Sequence, residues 1–213
     1  MLGKILFRIA KAPLMGKAVA SAFRYFGWAV PVRKVYSDRM IAAFHHPRPS
    51  YQNHIVIVPK RAIKDLQEMA DGYPEYFASI FRWASERSGS FVLMANGGKR
   101  QEVQQVHFHL FTGHDVVRSY KADSTFSGSV FCDGVLEVLP HPDPNWEIHY
   151  IARPASNGAE DDAAYFQGVL HAINLLNGRC GIIEKGYSVV YQRDTFEPAN
   201  GPVFHITAGR KLK

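Results

Sequence analysis

A chain of 213 residues, 46% hydrophobic and 21% charged, has enough apolar material for one large domain or two small ones, which excludes a disordered chain. Cys132 and Cys180 stand far apart with no CxxC pair; this excludes a disulfide framework or a cysteine-based zinc site and points to a reducing, cytoplasmic setting. The net charge of +6 is not a nucleic-acid signature, because residues 1–36 hold seven basic residues and no acid, and the other 18 basic and 19 acidic residues sum to −1.

The first element is therefore a basic appendage over residues 1–34. Leu2, Ile5, Leu6 and Ile9 fall at helical spacing, with Lys4, Arg8 and Lys11 on the opposite face. Pro13 interrupts, and a second apolar segment runs to Pro31. No uncharged run there exceeds eight residues, too short for a bilayer span or a secretory signal core. Two readings stand: a peripheral contact with an anionic membrane, or a pair of helices packed on the body or on a partner chain.

Residues 35–59, "VYSDRMIAAFHHPRPSYQNHIVIVP", form the next segment. They align without a gap on residues 130–154, "VFCDGVLEVLPHPDPNWEIHYIARP", at an offset of 95 with seven of 25 positions identical, His46/His141 and His54/His149 among them. Each copy reads as two strands joined by a proline-rich turn. A helix follows in each, with Phe77, Ile80, Phe81 and Ala84 as the buried stripe of the first and Phe166, Val169, Leu170 and Ile173 of the second. Gly89 and Gly178 are placed at the helix C-termini. Further strands close each unit: "SFVLMAN" and "QVHFHLFTG", then "YSVVYQ" and "PVFHITAG". The expected architecture is α+β, an antiparallel sheet with helices, duplicated as an intrachain pseudo-dimer. Its units are residues 35–125 and a degenerate repeat over 126–213. Such a monomer stands in for a homodimer, alone or in a higher oligomer.

The stretch "QQVHFHLFTG" alternates with period two. Val106, Phe108 and Leu110 should face a core, and Gln105, His107 and His109 the opposite side. In the second copy His205 stands where His109 does, but Val203 replaces His107 and Gly201 replaces Gln105.

Four stretches together resemble the histidine-triad (HIT) family. "VYSDRMIAAFHH" is similar to its opening strands, "HIVIVPKRAI" to the next strand, "ANGG" to its asparagine-bearing turn, and "RQEVQQVHFHLF" to its His-φ-His-φ-His signature. The resemblance covers roughly residues 35–113. It implies nucleotide binding and cleavage at the α-phosphorus, with His107 as the nucleophile and His109 contacting the phosphate. Phe44, His46, Pro47, Asn96, Gln101, Glu102 and Gln105 fall on nucleotide-binding positions, Lys99 and Arg100 beside them, and His54 on a structural position behind the triad. No cofactor or metal is implied, and no specific nucleic acid.

Two departures mark the motif. Gln105 stands at the first triad position and cannot carry a proton. His46 stands where the family has a ribose-binding aspartate. Tandem copies are found in the family's nucleotidylyltransferase and phosphorylase branches, but these carry glutamine at the third triad position, so His109 favours hydrolysis of a nucleoside phosphoramidate or dinucleoside polyphosphate. A non-catalytic nucleotide-binding or regulatory protein is the competing reading. A third joins His107 and His109 to His114 or His45 around a metal, but no carboxylate or cysteine stands at ligand spacing.

Overall fold

The computed structural model describes residues 33–113, 128–142, 145–155, 162–193 and 203–210. The basic appendage, apart from residues 33 and 34, lies outside the described residues, as does His114.

The first half contains β1 (Lys34–Ser37), β2 (Ile41–His45), β3 (Asn53–Pro59), α1 (Leu66–Gly72), α2 (Glu75–Arg87), β4 (Phe91–Gly97), a 3-10 turn at Gly98–Arg100, and β5 (Phe108–Thr112). The second contains β6 (Phe131–Cys132), β7 (Leu136–Pro140), β8 (Trp146–Pro154), α3 (Asp162–Cys180), α4 (Ile182–Lys185), β9 (Tyr187–Arg193) and β10 (Val203–Arg210). All ten strands join one sheet in the order β1-β2-β3-β5-β4-β9-β10-β8-β7-β6, and every pairing is antiparallel. The halves meet where β4 runs against β9, from Phe91 opposite Arg193 to Gly97 opposite Tyr187.

Strand alternation sorts the side chains onto two faces. Ile55 and Ile57 of β3, Phe108 and Leu110 of β5, and Phe204 and Ile206 of β10 share one core with the helices. The stripe Phe77, Ile80, Phe81 and Ala84 comes from α2, and Phe166, Val169, Leu170 and Ile173 from α3, all buried as their spacing predicts. The opposite face carries two smaller clusters built from strand residues: Ala42, Phe44, Val56 and Val58, and Val92, Phe111 and Val190 beside Met94.

Local chemistry sets the boundaries. Asp65 caps α1 by accepting from the Glu68 amide at 2.9 Å, while the Glu68 carboxylate accepts from the Lys64 amide at 2.6 Å. That helix carries only two buried residues, Leu66 and Met69, too short a stripe for sequence periodicity to reveal. Gly178 proves to lie inside α3, not at its end; the helix continues to Cys180 and is stopped by Gly181, whose φ of 60° favours glycine. The strand of the histidine motif begins at Phe108, so Gln105 to His107 form the loop entering it.

The aligned positions of the two halves make like contacts. Asp38 accepts from the amides of Met40 and Ile41, and Asp133 from those of Val135 and Leu136. The His46 amide donates to the His54 carbonyl at 2.9 Å, and the His141 amide to that of His149 at 2.8 Å. His54 pairs with His109 at 2.8 Å and His149 with His205 at 3.1 Å. Cys132 and Cys180 are both free thiols. Among the described residues no helix is long and apolar enough to cross a membrane.

Candidate functional site

The face of the sheet opposite the helices collects the histidines. In the register, β5 puts His109 between Val56 of β3 and Met94 of β4. The β4–β5 register ends at Ala95 opposite Phe108, with Asn96 following the one and His107 preceding the other, and the His107 ring meets that of His109 edge-on, centroids 5.1 Å apart.

His107 is half-buried, and its Nδ1–H donates to the main-chain carbonyl of Gln105 at 2.9 Å. This bond fixes the tautomer, so the lone pair resides on Nε2. Burial holds the ring below its ordinary pKa; the Gln105 carbonyl opposes this. A neutral imidazole with one open lone pair is a nucleophile needing no further activation.

His109 is held from behind. The Ser50 amide donates to His54 Nδ1 at 3.2 Å, so His54 carries its proton on Nε2 and donates to His109 Nδ1 at 2.8 Å. His109 must then present an Nε2–H, a fixed donor. Burial, reinforced by the neighbouring His107, His54 and His46 rings, pushes its pKa down to about 2, and burial with His46 lowers His54 to about 4. The cluster is neutral at physiological pH.

His46 stacks on His54, ring centroids 4.1 Å apart and planes within 4°, and its Nδ1 meets the main chain of Arg48. Phe44 is buried in the apolar patch with Ala42, Val56 and Val58 beside this stack. Pro47 and Glu102 are exposed. Gln101 spends its amide on the backbone, donating to the carbonyls of Lys64 at 2.5 Å and Val103 at 2.8 Å. Arg100 lays its guanidinium over the Trp146 ring of the second half, 4.8 Å from the centroid.

Gln105 departs from the alternation expected of it. Its side chain is 1% exposed rather than lining the histidine face. Its Oε1 accepts from the Ile63 amide at 3.3 Å, and its Nε2 donates to the carbonyls of Arg61 at 3.0 Å and Pro59 at 3.4 Å. The amide pins the chain between β3 and α1, while the main-chain oxygen of the same residue orients His107.

The ring nitrogens of His46, His54 and His109 lie within 4.8 Å of one another, a set unlike the sequence expectation for a metal around His107 and His109. Ligation through His54 Nε2 would require breaking the His109 hydrogen bond and moving the proton that the Ser50 contact places there. Sequence reading passed over Ser50, which sets the His54 tautomer, and Ser188, whose hydroxyl donates to Asn96 Oδ1 at 2.6 Å. Ser50 reaches His54 from four residues away through its main-chain amide, which its residue type does not reveal, and Ser188 is brought to Asn96 only by strand pairing.

The HIT domain family model matches residues 29–116. An uncharacterized HIT-like protein of Buchnera aphidicola is 29% identical over 93 residues, covering 39% of this chain and 83% of its own. Over most of the chain the fold is similar to a DUF4931 family protein from Bacillus cereus, with a TM-score of 0.57, 14% identity, and coverage of 84% of this chain and 87% of that one. It is similar also to a GalT-like protein from Arabidopsis thaliana, with a TM-score of 0.56, 10% identity, and coverage of 90% and 83%. The matched segment contains the His107–His109 motif, the Asn96 turn and the β2–β3 hairpin that supplies His46 and His54, so the first half of the chain carries a HIT domain, an antiparallel α+β unit.

Proposed function

We propose that the chain is a nucleotide hydrolase that cleaves at the α-phosphorus through His107. The observation that carries this reading is the tautomer of His107: Nδ1–H is committed to the Gln105 carbonyl, leaving the Nε2 lone pair open on a ring packed against His109, centroids 5.1 Å apart. Nε2 attacks phosphorus as the bond to the leaving group breaks, and the leaving group departs with the bonding pair and a proton from water. His109 acts as a neutral hydrogen-bond donor to a phosphate oxygen through its Nε2–H, since its low pKa keeps it from taking up a second proton. Water then adds to phosphorus and loses a proton to solvent. The P–N bond breaks, and the electron pair returns to His107. Asn96 and the amides of the following turn would hold the charge that builds on phosphate. The Phe44 patch beside the His46–His54 stack offers an apolar surface for a base.

We infer further that the two halves are copies of one unit, and that only the first is catalytic. The palindromic strand order and the like contacts of Asp38 with Asp133 and of His54 with His149 support this. Val203 at the nucleophile position leaves the second half without an attacking group. Incubation with a nucleoside phosphoramidate, quenched and read by intact mass, should show a nucleotidyl adduct in the wild type and none in His107→Ala. A His107→Ala variant retaining more than about a tenth of the wild-type rate, a barrier change under roughly 1.4 kcal/mol, would sink the nucleophile assignment.

A further inference from the structure

We propose that Ser188, supplied by the second half, is a positioning residue for Asn96 and thereby makes the first half's phosphate site depend on the second. The inference rests on the reading of Asn96 as a phosphate-binding group. Ser188 and Asn96 are direct partners across the β4–β9 seam, so their side chains share the face that bears His107 and His109. Ser188 is 3% exposed, and its hydroxyl donates to Asn96 Oδ1 at 2.6 Å. With Oδ1 committed, the amide has only its Nδ2 hydrogens to offer a ligand. An anion needs donors; the opposite orientation, with Oδ1 turned outward, would repel a phosphate oxygen. Water bound in place of Ser188 would give Oδ1 a partner without fixing the amide plane.

The same seam holds the turn that follows Asn96. A Cβ at Gly97 would meet the Tyr187 ring at 2.2 Å, one at Gly98 the Ile183 carbonyl oxygen at 2.1 Å, and one at Gly186 the Arg100 amide at 2.5 Å. Tyr187 is itself anchored, its hydroxyl donating to Gln67 Oε1 at 2.8 Å. The backbone of the second half is thus pressed against the Asn96–Arg100 turn with no space for a side chain between them. Ser188 adds the specific contact to that support.

The test compares Ser188→Ala, Ser188→Cys (same shape, poor donor) and Ser188→Thr, alone and in an Asn96→Ala background. Loss of one positioning hydrogen bond should lower kcat/KM by about five- to twenty-fold in Ser188→Ala and Ser188→Cys, mostly in kcat, with Thr restoring it. In the Asn96→Ala background the Ser188 changes should add nothing. Wild-type kcat/KM in Ser188→Ala and Ser188→Cys, or full additivity with Asn96→Ala, overturns the proposal. An activity-independent readout separates its failure from failure of the hydrolase reading. The side-chain amide signal of Asn96 in a proton–nitrogen spectrum should shift on adding AMP to the wild type, and the shift should shrink in Ser188→Ala. If the wild type turns over no phosphoramidate, the hydrolase reading fails, and this signal alone decides: an unchanged Asn96 response to AMP in Ser188→Ala rejects the positioning role.

Discussion

Acidification should weaken the fold through the His54–His109 pair. Both rings are neutral in the folded chain, with His54 lowered to about 4 and His109 to about 2. In the unfolded chain each titrates near 6.5. Folded pKa values below the unfolded value mean that the stabilisation is complete above pH 6.5 and is lost as pH falls, because only the unfolded chain then takes up protons. Each group loses about 1.36 kcal/mol per pH unit in that window, so the pair loses roughly 4 kcal/mol between pH 7 and pH 5. Below pH 4 the His54 contribution levels off, while that of His109 continues to fall. Urea unfolding followed by tryptophan fluorescence at pH 7, 6 and 5 measures the slope. The doubly substituted His54→Gln/His109→Gln chain keeps polar side chains but cannot titrate there, so it should lose less stability by about that 4 kcal/mol. Equal losses in the two proteins would refute the reasoning.

Replacing Gln105 with leucine strips the Ile63 amide and the Arg61 and Pro59 carbonyls of their side-chain partner, at a cost of about 2–3 kcal/mol; an unchanged urea midpoint would contradict this. Gly98→Ala forces a φ of 58° on a residue with a Cβ and drives that atom onto the Ile183 oxygen, so it should cost more than about 2 kcal/mol in unfolding free energy, whereas Gly72→Ala, with open space around it, should be tolerated. If residues 1–34 are peripheral, their removal should leave a folded body and abolish sedimentation with anionic vesicles, each basic residue contributing about 1 kcal/mol that salt suppresses. Equal sedimentation of the full and shortened chains at low salt would reject the membrane contact.

The histidine-bearing strand was legible because its alternation is strict: Phe108 and Leu110 entered the core and His109 the other face, as period two demands. The helical stripes of α2 and α3 were legible for the same reason. What alternation could not supply was the exception at Gln105, where the chain has not yet entered the strand and the side chain turns inward to meet the β3–α1 connection. Nor could it supply Ser50 or Ser188. Ser188 acts on Asn96, a neighbour only after β4 and β9 pair, and a serine in a strand carries no signal of its partner; Ser50, four residues before His54 in the β2–β3 connection, acts through its main-chain amide, which its residue type does not reveal. The short α1 went unread because two buried residues make no period, although the Asp65–Glu68 cap is written in the sequence.

The β4–β9 seam also bears on how the chain is made. Tyr187 leaves the ribosome about 90 residues after Gly97, which at 5–20 residues per second is a delay of roughly 5–18 s. The first half has all its own strands well before then, so β4 waits with one side bare. An unpaired strand edge of seven residues is a template for any other strand that reaches it first. Two nascent chains held close together would be able to join through β4, each occupying the place meant for the other's β9. Fusion of the two halves in one polypeptide counters this by tethering β9 at a high effective concentration, and the speed of translation through residues 98–193 sets how long that protection takes to arrive.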